Sequence, residues 1–151
     1  MRVLILGGDG YLGWPTAMNL SSLGYRVAVA DNYLRRRIMS DERMTPLYQV
    51  PDLENRANLW EQISGKRVEV FIGDLTDLSN VKSIFSSFQP DAIVHYAEQP
   101  SAPYSMLNEN ASTLTLINNL SVTNNLILTV REHNPDIHIV KLYTIGPIGA
   151  Q

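Results

Sequence analysis

The first 31 residues place a glycine-rich turn between two short apolar runs, which constrains the fold more than any other part of the chain. Residues 3–6 are continuously apolar, as is typical of a strand buried on both faces. The turn holds three regularly spaced glycines and leads into a helical pattern whose first turn contains Pro15, a position where proline is tolerated. A second strand pattern, residues 26–30, is apolar from Val27 to Ala30, and Asp31 stands at its end. The segment therefore predicts a strand, a turn, a helix and a second strand.

The three glycines, Gly7, Gly10 and Gly13, each suit a different part of a dinucleotide-binding turn. The first allows a tight turn, the second lets a pyrophosphate approach the backbone, and the third lets the helix pack closely on the sheet. A carboxylate at Asp31 can accept hydrogen bonds from both hydroxyls of an adenosine ribose, and it would repel a 2′-phosphate. Glycines alone often mark only a turn. Here the strand, the helix and the acid agree, and together they predict dinucleotide binding.

Composition narrows the class of protein. The length of 151 residues predicts one domain, residues 1–151, and the net charge of −3 argues against a nucleic-acid partner. The chain has no cysteine, which excludes disulfides and thiolate chemistry. We see no signal peptide, and no apolar run approaches the roughly 20 residues of a membrane span. We expect a soluble cytoplasmic protein without a membrane partner.

Three consecutive arginines, Arg35, Arg36 and Arg37, follow the ribose-binding acid. They could form a solvated helix face, contact adenosine or its phosphates, or bind a 2′-phosphate and so select NADP. Asp31 argues against the last alternative and favours NAD. The arginines begin a long insertion, residues 32–66, and the helical pattern within residues 45–65 could cover the sheet or form part of a substrate lid.

The remaining chain alternates between strand and helix patterns. With right-handed crossovers, this alternation predicts a Rossmann-type, doubly wound α/β fold with a parallel sheet in the order 3-2-1-4-5. Ligands bind at the carboxyl ends of the strands in such sheets. The predicted later elements are a strand at 68–72, a helix at 78–88, a strand at 92–95, a helix of about 30 residues at 104–134 and a strand at 137–142.

Several polar residues fall near this edge of the sheet. Asp74, just past the third strand, could accept a hydrogen bond from the adenine amino group, whereas Asp77 suits a helix N-cap. His95 ends the fourth strand, and we assign it no chemical role. Asparagines in the long helix would need partners if they faced the sheet, and a nucleotide or sugar could supply them; we expect at least half to face solvent. These are Asn118, Asn119, Asn124 and Asn125.

Taken together, the motifs resemble those of the UDP-sulfoquinovose synthases, a group of extended short-chain dehydrogenases related to nucleotide-sugar epimerases and dehydratases. The resemblance extends over nearly the whole chain. It is carried by the runs G-G-D-G-Y-L-G-W, D-N-x-x-R-R, G-D-x-x-D, H-x-x-E-Q-x-S-A-P-Y-S-M and V-K-L-x-T.

The resemblance implies an NAD-dependent enzyme that converts UDP-glucose and sulfite to UDP-sulfoquinovose, the sugar of a sulfolipid. In that reaction NAD⁺ oxidises the sugar at C4, water is lost across C5 and C6, sulfite adds at C6, and hydride returns to C4. It implies no metal. Related enzymes dimerise through the long helix, so we expect a homodimer of the full-length protein and exposed apolar side chains on that helix. The candidates are Leu107, Leu114 and Leu126.

The resemblance also implies roles for individual residues. Asn118 would stand close to the cofactor, Ser101 near the substrate, and Thr144 would be the catalytic threonine that hydrogen-bonds the reacting sugar. The pyrophosphate would be held by Gly7, Gly10, Tyr11 and Leu12. The adenosine side would be held by Asp31, Asn32, Arg35 and Arg36, with Asp74 and Leu75 near adenine. Ala97, Glu98 and Gln99 would lie along the nicotinamide ribose and the sugar, with Gln99 on the substrate.

The chain also departs from the family pattern. Pro100 stands where the family has a substrate-contacting arginine, Tyr143 replaces a glycine and Pro147 replaces a glutamate. No tyrosine has the lysine four residues later that the family uses with its base, and the chain ends just past the fifth strand. We therefore expect the cofactor half of the enzyme, without the substrate domain and inactive alone. The alternatives are another NAD-dependent nucleotide-sugar epimerase or dehydratase, and a non-catalytic NAD-binding module.

Overall fold

The computed structural model describes residues 1–142, which form a five-stranded parallel sheet with helices on both faces. The strand order is β3-β2-β1-β4-β5, so the predicted Rossmann-type order 3-2-1-4-5 is confirmed. The strands are β1 (Arg2–Leu6), β2 (Arg26–Asp31), β3 (Val68–Ile72), β4 (Ala92–His95) and β5 (His138–Lys141). The helices are α1 (Gly13–Ser22), α2 (Leu34–Asp41), α3 (Leu53–Ser64), α4 (Leu78–Phe88), α5 (Ala102–Ser105) and α6 (Glu109–His133).

The three inner strands, β2, β1 and β4, alternate their side chains between two apolar cores. Leu4 of β1 lies opposite Ala28 of β2 and Ile93 of β4, and these three face the core beneath α4 and α6. The intervening residues, such as Val3 and Val27, face a second core beneath α1 and α3. Burial on both faces is why the strands read as continuous apolar runs rather than as alternating ones.

The insertion covers one face of the sheet. Helix α3 buries Leu53 and Ala57 against it, and Asp52 caps the helix by accepting a hydrogen bond from Asn55 N at 2.8 Å. The indole nitrogen of Trp60 donates to Ser21 Oγ at 2.9 Å and so fastens α3 to α1. Of the two alternatives left open by the sequence, the structure therefore supports a cover for the sheet.

The prediction of one continuous helix over residues 104–134 is wrong. The chain makes a short helix, α5, and starts again at α6 because Asn108 is extended and caps the second helix, its Oδ1 accepting from Ala111 N at 2.9 Å. The expected exposure of Leu126 is also wrong: this side chain is only 2% exposed, since it packs with Val122 and Val130 in the core. Leu107 is exposed as expected, whereas Leu114 is half-buried.

No helix within residues 1–142 is long and apolar enough to cross a membrane.

Candidate functional site

A cavity of about 340 Å³ opens at the carboxyl ends of the strands, between the glycine turn, the end of β2 and the loop after β4. Most of the residues predicted for the site line it. They are Gly7, Gly10, Tyr11, Leu12, Asp31, Asn32, Arg35, Leu75, Ala97, Glu98, Gln99 and Asn118. The cavity lining does not include Arg36, Asp74 or Ser101, and Thr144 lies outside the described residues, as do Tyr143 and Pro147.

The glycine turn is closely packed where it leaves the sheet. Gly7 has φ of +89°, and a Cβ there would lie 2.7 Å from the carbonyl carbon of Tyr96. A Cβ at Gly13 would collide with the Gly7 carbonyl oxygen. At Gly10 the nearest atom would be that same oxygen at 3.3 Å, so this backbone borders the cavity with little else against it. The turn therefore offers a surface that a pyrophosphate can approach.

Asp31 is held in place by two backbone donors. Its Oδ2 accepts from Asp9 N at 2.9 Å and its Oδ1 from Tyr33 N at 2.8 Å. Burial raises the pKa of Asp31, and these hydrogen bonds oppose the rise. A carboxylate oxygen can accept more than one hydrogen bond, so each oxygen keeps capacity for a hydroxyl of a ribose. The residues present thus fit the adenosine end of a dinucleotide.

The three consecutive arginines do not act as one group. Arg35 lines the cavity, whereas the Arg37 guanidinium donates to the carbonyl oxygen of Asn32. Arg36 binds the carboxylate of Asp9, with Nε 2.7 Å from Oδ2 and a terminal nitrogen 2.6 Å from Oδ1. That guanidinium also donates to the carbonyl oxygens of Val50 and Pro51, each at 2.8 Å. The structure therefore brings only Arg35 of this run to the cavity.

Asp9 is a charged residue of this site that the sequence interpretation missed. Its side chain is 10% exposed and forms ion pairs with both Arg36 and Arg56, which lies on α3. Hydrogen bonding to Asp9 raises the pKa of Arg36, whereas burial lowers the pKa of Arg56. An acid inside the glycine turn, followed by arginines in the insertion, was the signal available in the sequence.

The loop after β3 is ordered by its own acids. The carboxylate of Asp74 accepts from the backbone nitrogen and the hydroxyl of Thr76, both at 2.9 Å, while the adjacent Leu75 is buried at the cavity wall. Asp77 caps α4 as predicted, accepting from Ser79 N at 2.8 Å. Hydrogen bonds from Ser79 lower the pKa of Asp77.

A buried polar network lies at the other end of the cavity. His95 is 1% exposed, and its Nδ1 accepts from Ala97 N at 3.2 Å. Burial and the nearby Lys141 lower the pKa of His95 to about 4, so the ring is neutral at pH 7. Lys141 forms an ion pair with Glu98 and donates to Thr123 Oγ1 at 3.1 Å. His95 therefore supports the loop that carries Ala97 and Glu98.

The asparagines of α6 face the protein more than we expected. Asn119 Oδ1 accepts from Gln99 N at 2.8 Å, and Asn125 donates to the carbonyl oxygens of Leu75 and Thr76 at 3.1 and 2.9 Å. Asn118 lines the cavity, and Asn124 is exposed. The expectation that at least half would face solvent is wrong, because loop backbone groups supply the partners that asparagines need.

Gln99 and Ser101 form a local unit beside this helix. The Gln99 amide oxygen accepts from Ser101 N at 2.8 Å, and its nitrogen donates to Thr115 Oγ1 at 3.1 Å. Gln99 is buried and lines the cavity, whereas Ser101 is exposed and caps α5. The unit fixes the path of the chain as it leaves β4.

Comparison with known proteins agrees with this arrangement. Residues 3–147 match the model of the NAD dependent epimerase/dehydratase family. The chain is 38% identical over 148 residues to the chloroplastic UDP-sulfoquinovose synthase of Spinacia oleracea, covering 98% of this chain and 31% of the relative. It is 39% identical over 149 residues to the UDP-sulfoquinovose synthase of Sulfolobus acidocaldarius, covering 99% and 38%. The chain thus spans about a third of the length of these relatives.

A solved structure shares the fold. The UDP-glucose 4-epimerase of Bifidobacterium longum, determined in complex with NAD⁺ and UDP, superposes with a TM-score of 0.74 at 25% identity. The match covers 96% of this chain and 37% of that one. With the glycine turn, the acid at the end of β2 and the match of residues 3–147, the chain belongs to the NAD dependent epimerase/dehydratase family.

Proposed function

We propose that the chain is the NAD-binding part of a UDP-sulfoquinovose synthase, which converts UDP-glucose and sulfite to UDP-sulfoquinovose. The observation that carries the proposal is the pairing of an open glycine turn with a fixed carboxylate, Asp31, in one cavity. The relatives in spinach and Sulfolobus, each matched over nearly the whole of this chain, support the choice of reaction.

Each wall of the cavity would hold one part of the cofactor. The backbone around Gly10, Tyr11 and Leu12 would bind the pyrophosphate, and Asp31 would accept the ribose hydroxyls. Arg35 and Asn32 would complete the adenosine side. Leu75 and Ala97 supply apolar surface for the rings, with Asn118 beside them.

When bound, NAD⁺ would supply a hydride acceptor for C4 of the sugar. This chain's own residues would orient the sugar from the loop after β4, where Glu98, Gln99 and Ser101 lie. Thr144 would hydrogen-bond the reacting sugar. Lys141 neutralises Glu98 and bonds Thr123, so it would keep this loop in a fixed position.

The domain assignment belongs to the same proposal. We infer that residues 1–151 form the cofactor domain and that a substrate domain and the tyrosine–lysine pair complete the enzyme as a homodimer. The 151 residues alone would therefore bind NAD⁺ without turning over. One relative is named chloroplastic, so the cytoplasmic location predicted from the sequence stays a prediction.

A second candidate is a 4-epimerase acting on a nucleotide sugar. Pro100 removes an arginine expected in the synthases, and a UDP-glucose 4-epimerase shares the fold. The two reactions differ in their need for sulfite, since only the synthase forms a sulfonated product.

The test has two parts. Titration calorimetry of the full chain with NAD⁺ is expected to show binding that Asp31→Ala weakens at least about tenfold, because two hydrogen bonds to the ribose are lost. Tyr25→Phe, an exposed change far from the cavity, is the control.

Mass spectrometry after incubation with UDP-glucose, NAD⁺ and sulfite then looks for product. No binding by the unaltered chain contradicts the proposal, and sulfonated product from the 151 residues alone contradicts the domain assignment.

A further inference from the structure

Two arginines share a single carboxylate next to the cavity, and neither of them lines it. Arg36 donates from Nε to Asp9 Oδ2 at 2.7 Å and from a terminal nitrogen to Asp9 Oδ1 at 2.6 Å. Arg56 forms an ion pair with the same oxygen, Oδ1. Asp9 itself does line the cavity. The acid therefore stands between the open site and two positive charges.

Both guanidiniums are fixed by further contacts with residues that do not line the cavity. Arg36 donates to the carbonyl oxygens of Val50 and Pro51 at 2.8 Å and lies 5.2 Å from the ring centre of Tyr33. The Arg56 side chain is 11% exposed and lies 5.0 Å from the ring centre of Trp14. Such cation–π contacts favour a guanidinium that has been removed from water. The insertion thus holds both guanidiniums against Asp9 and outside the lining of the cavity.

Asp9 is also tied to the ribose-binding acid. Its backbone nitrogen donates to Asp31 Oδ2 at 2.9 Å, so a group bound at Asp31 would lie within a few ångströms of residue 9. A 2′-phosphate placed there would meet two carboxylates. It would also find Arg36 already occupied, although that arginine is close in sequence and of the right charge.

We propose that Asp9 is a specificity-determining residue: it excludes a 2′-phosphorylated dinucleotide by holding Arg36 and Arg56 away from the ribose. This inference rests on the proposed function, which supplies the dinucleotide. Specificity for one ligand over another is a difference of two affinities, and a negative charge near the 2′ position changes only the affinity for the phosphorylated form.

A purely structural role for Asp9 makes a different prediction. If Asp9 only clamped α3 to the glycine turn, its loss would weaken NAD⁺ and NADP⁺ binding by the same factor. The ratio of the two dissociation constants separates these roles, whereas either dissociation constant alone does not.

The experiment measures dissociation constants for NAD⁺ and NADP⁺ on the full chain by titration calorimetry, with competition for the weaker ligand and a melting curve for every variant. Asp9→Asn is expected to shift the ratio toward NADP⁺ by about tenfold, because Arg36 and Arg56 lose their counter-charge. The double variant Asp9→Asn with Arg36→Gln is expected to return the ratio to within about threefold of the starting chain. Asp41→Asn, an exposed acid at the end of α2, is the control for general loss of charge.

An unchanged ratio in a folded Asp9→Asn variant overturns the proposal, as does a shift of equal size in Asp41→Asn. If Asp9→Asn shows no cooperative melting, the Arg36→Gln variant is the test. Asp9 then has one counter-charge fewer, so the ratio of the NAD⁺ and NADP⁺ dissociation constants is expected to move further toward NAD⁺. An unchanged ratio overturns the proposal. If the unaltered chain binds neither nucleotide, the proposed function itself fails.

Discussion

At the scale of single residues, His95 is a buried and neutral histidine that supports the loop after β4. The ring is buried, with Nδ1 accepting the backbone N–H of Ala97 and Nε2 lying 3.5 Å from Thr123 Oγ1 of α6. A protonated ring could not accept that bond and would face the ammonium of Lys141. The loop that borders the cavity therefore depends on a neutral imidazole.

This dependence predicts a loss of stability in mild acid. The pKa of His95 is lowered from 6.5 to about 4, so between these values the unfolded chain binds a proton that the folded chain does not. The neutral His95 makes its whole contribution to the free energy of unfolding above pH 6.5. That contribution falls by up to about 1.4 kcal/mol per pH unit as the pH drops toward 4. Between pH 7 and pH 5 the His95 share of this loss is about 2 kcal/mol.

Urea denaturation of the His95→Asn variant at both pH values measures that share. The asparagine oxygen can still accept from Ala97 N but cannot titrate, so the variant is expected to lose less stability than the unaltered chain by about 2 kcal/mol. His138→Asn, at an exposed position of β5, is the control and is expected to keep the full pH dependence. Parallel losses in all three chains would contradict the account.

At the scale of elements, helix α3 belongs to the long insertion between β2 and β3, yet it contributes buried side chains to the core of the sheet. Leu53 is fully buried in the cluster beneath this helix, whereas Leu59 of the same helix is 52% exposed. Leu53→Ala is expected to lower the free energy of unfolding by about 2–5 kcal/mol, because it leaves a cavity against β2 and β3. Leu59→Ala is expected to change it by less than about 0.5 kcal/mol. Equal losses for the two variants in urea denaturation would show that α3 does not pack as described.

The elements also show how far the sequence could predict the site. Apolar runs predicted all five strands, because that signal depends on neighbours close in the chain. The strand order followed from the alternation of strands and helices with right-handed crossovers. The partner of Arg36 could not be predicted this way, since Asp9 lies 27 residues earlier and meets it only after the turn and the insertion fold together. The break before α6 was missed because the Asn108 cap lies inside a run that otherwise has a helical pattern.

At the scale of the whole molecule, α6 has two apolar faces. Val122, Leu126 and Val130 pack into the core, while a second row of apolar side chains stays in solvent on the opposite side. That row, here called the outer row, consists of Leu116, Ile117, Leu120 and Ile127, each more than half exposed. Several exposed apolar side chains on one helix are typical of a contact site, and the proposed homodimer would cover them.

The outer row therefore predicts self-association that a charge would weaken. Leu120 is 63% exposed at the middle of the row, so Leu120→Glu is expected to raise the dissociation constant of the dimer at least about tenfold, because an unpaired carboxylate would be buried. At concentrations where the chain is monomeric, the melting temperature is expected to stay unchanged, because the side chain is then in solvent. Leu23→Glu, at a similarly exposed leucine after α1, is the control. Sedimentation velocity over a concentration series measures both. If the unaltered chain stays monomeric throughout, or if the two variants dissociate alike, the outer row is not a self-association surface of these 151 residues.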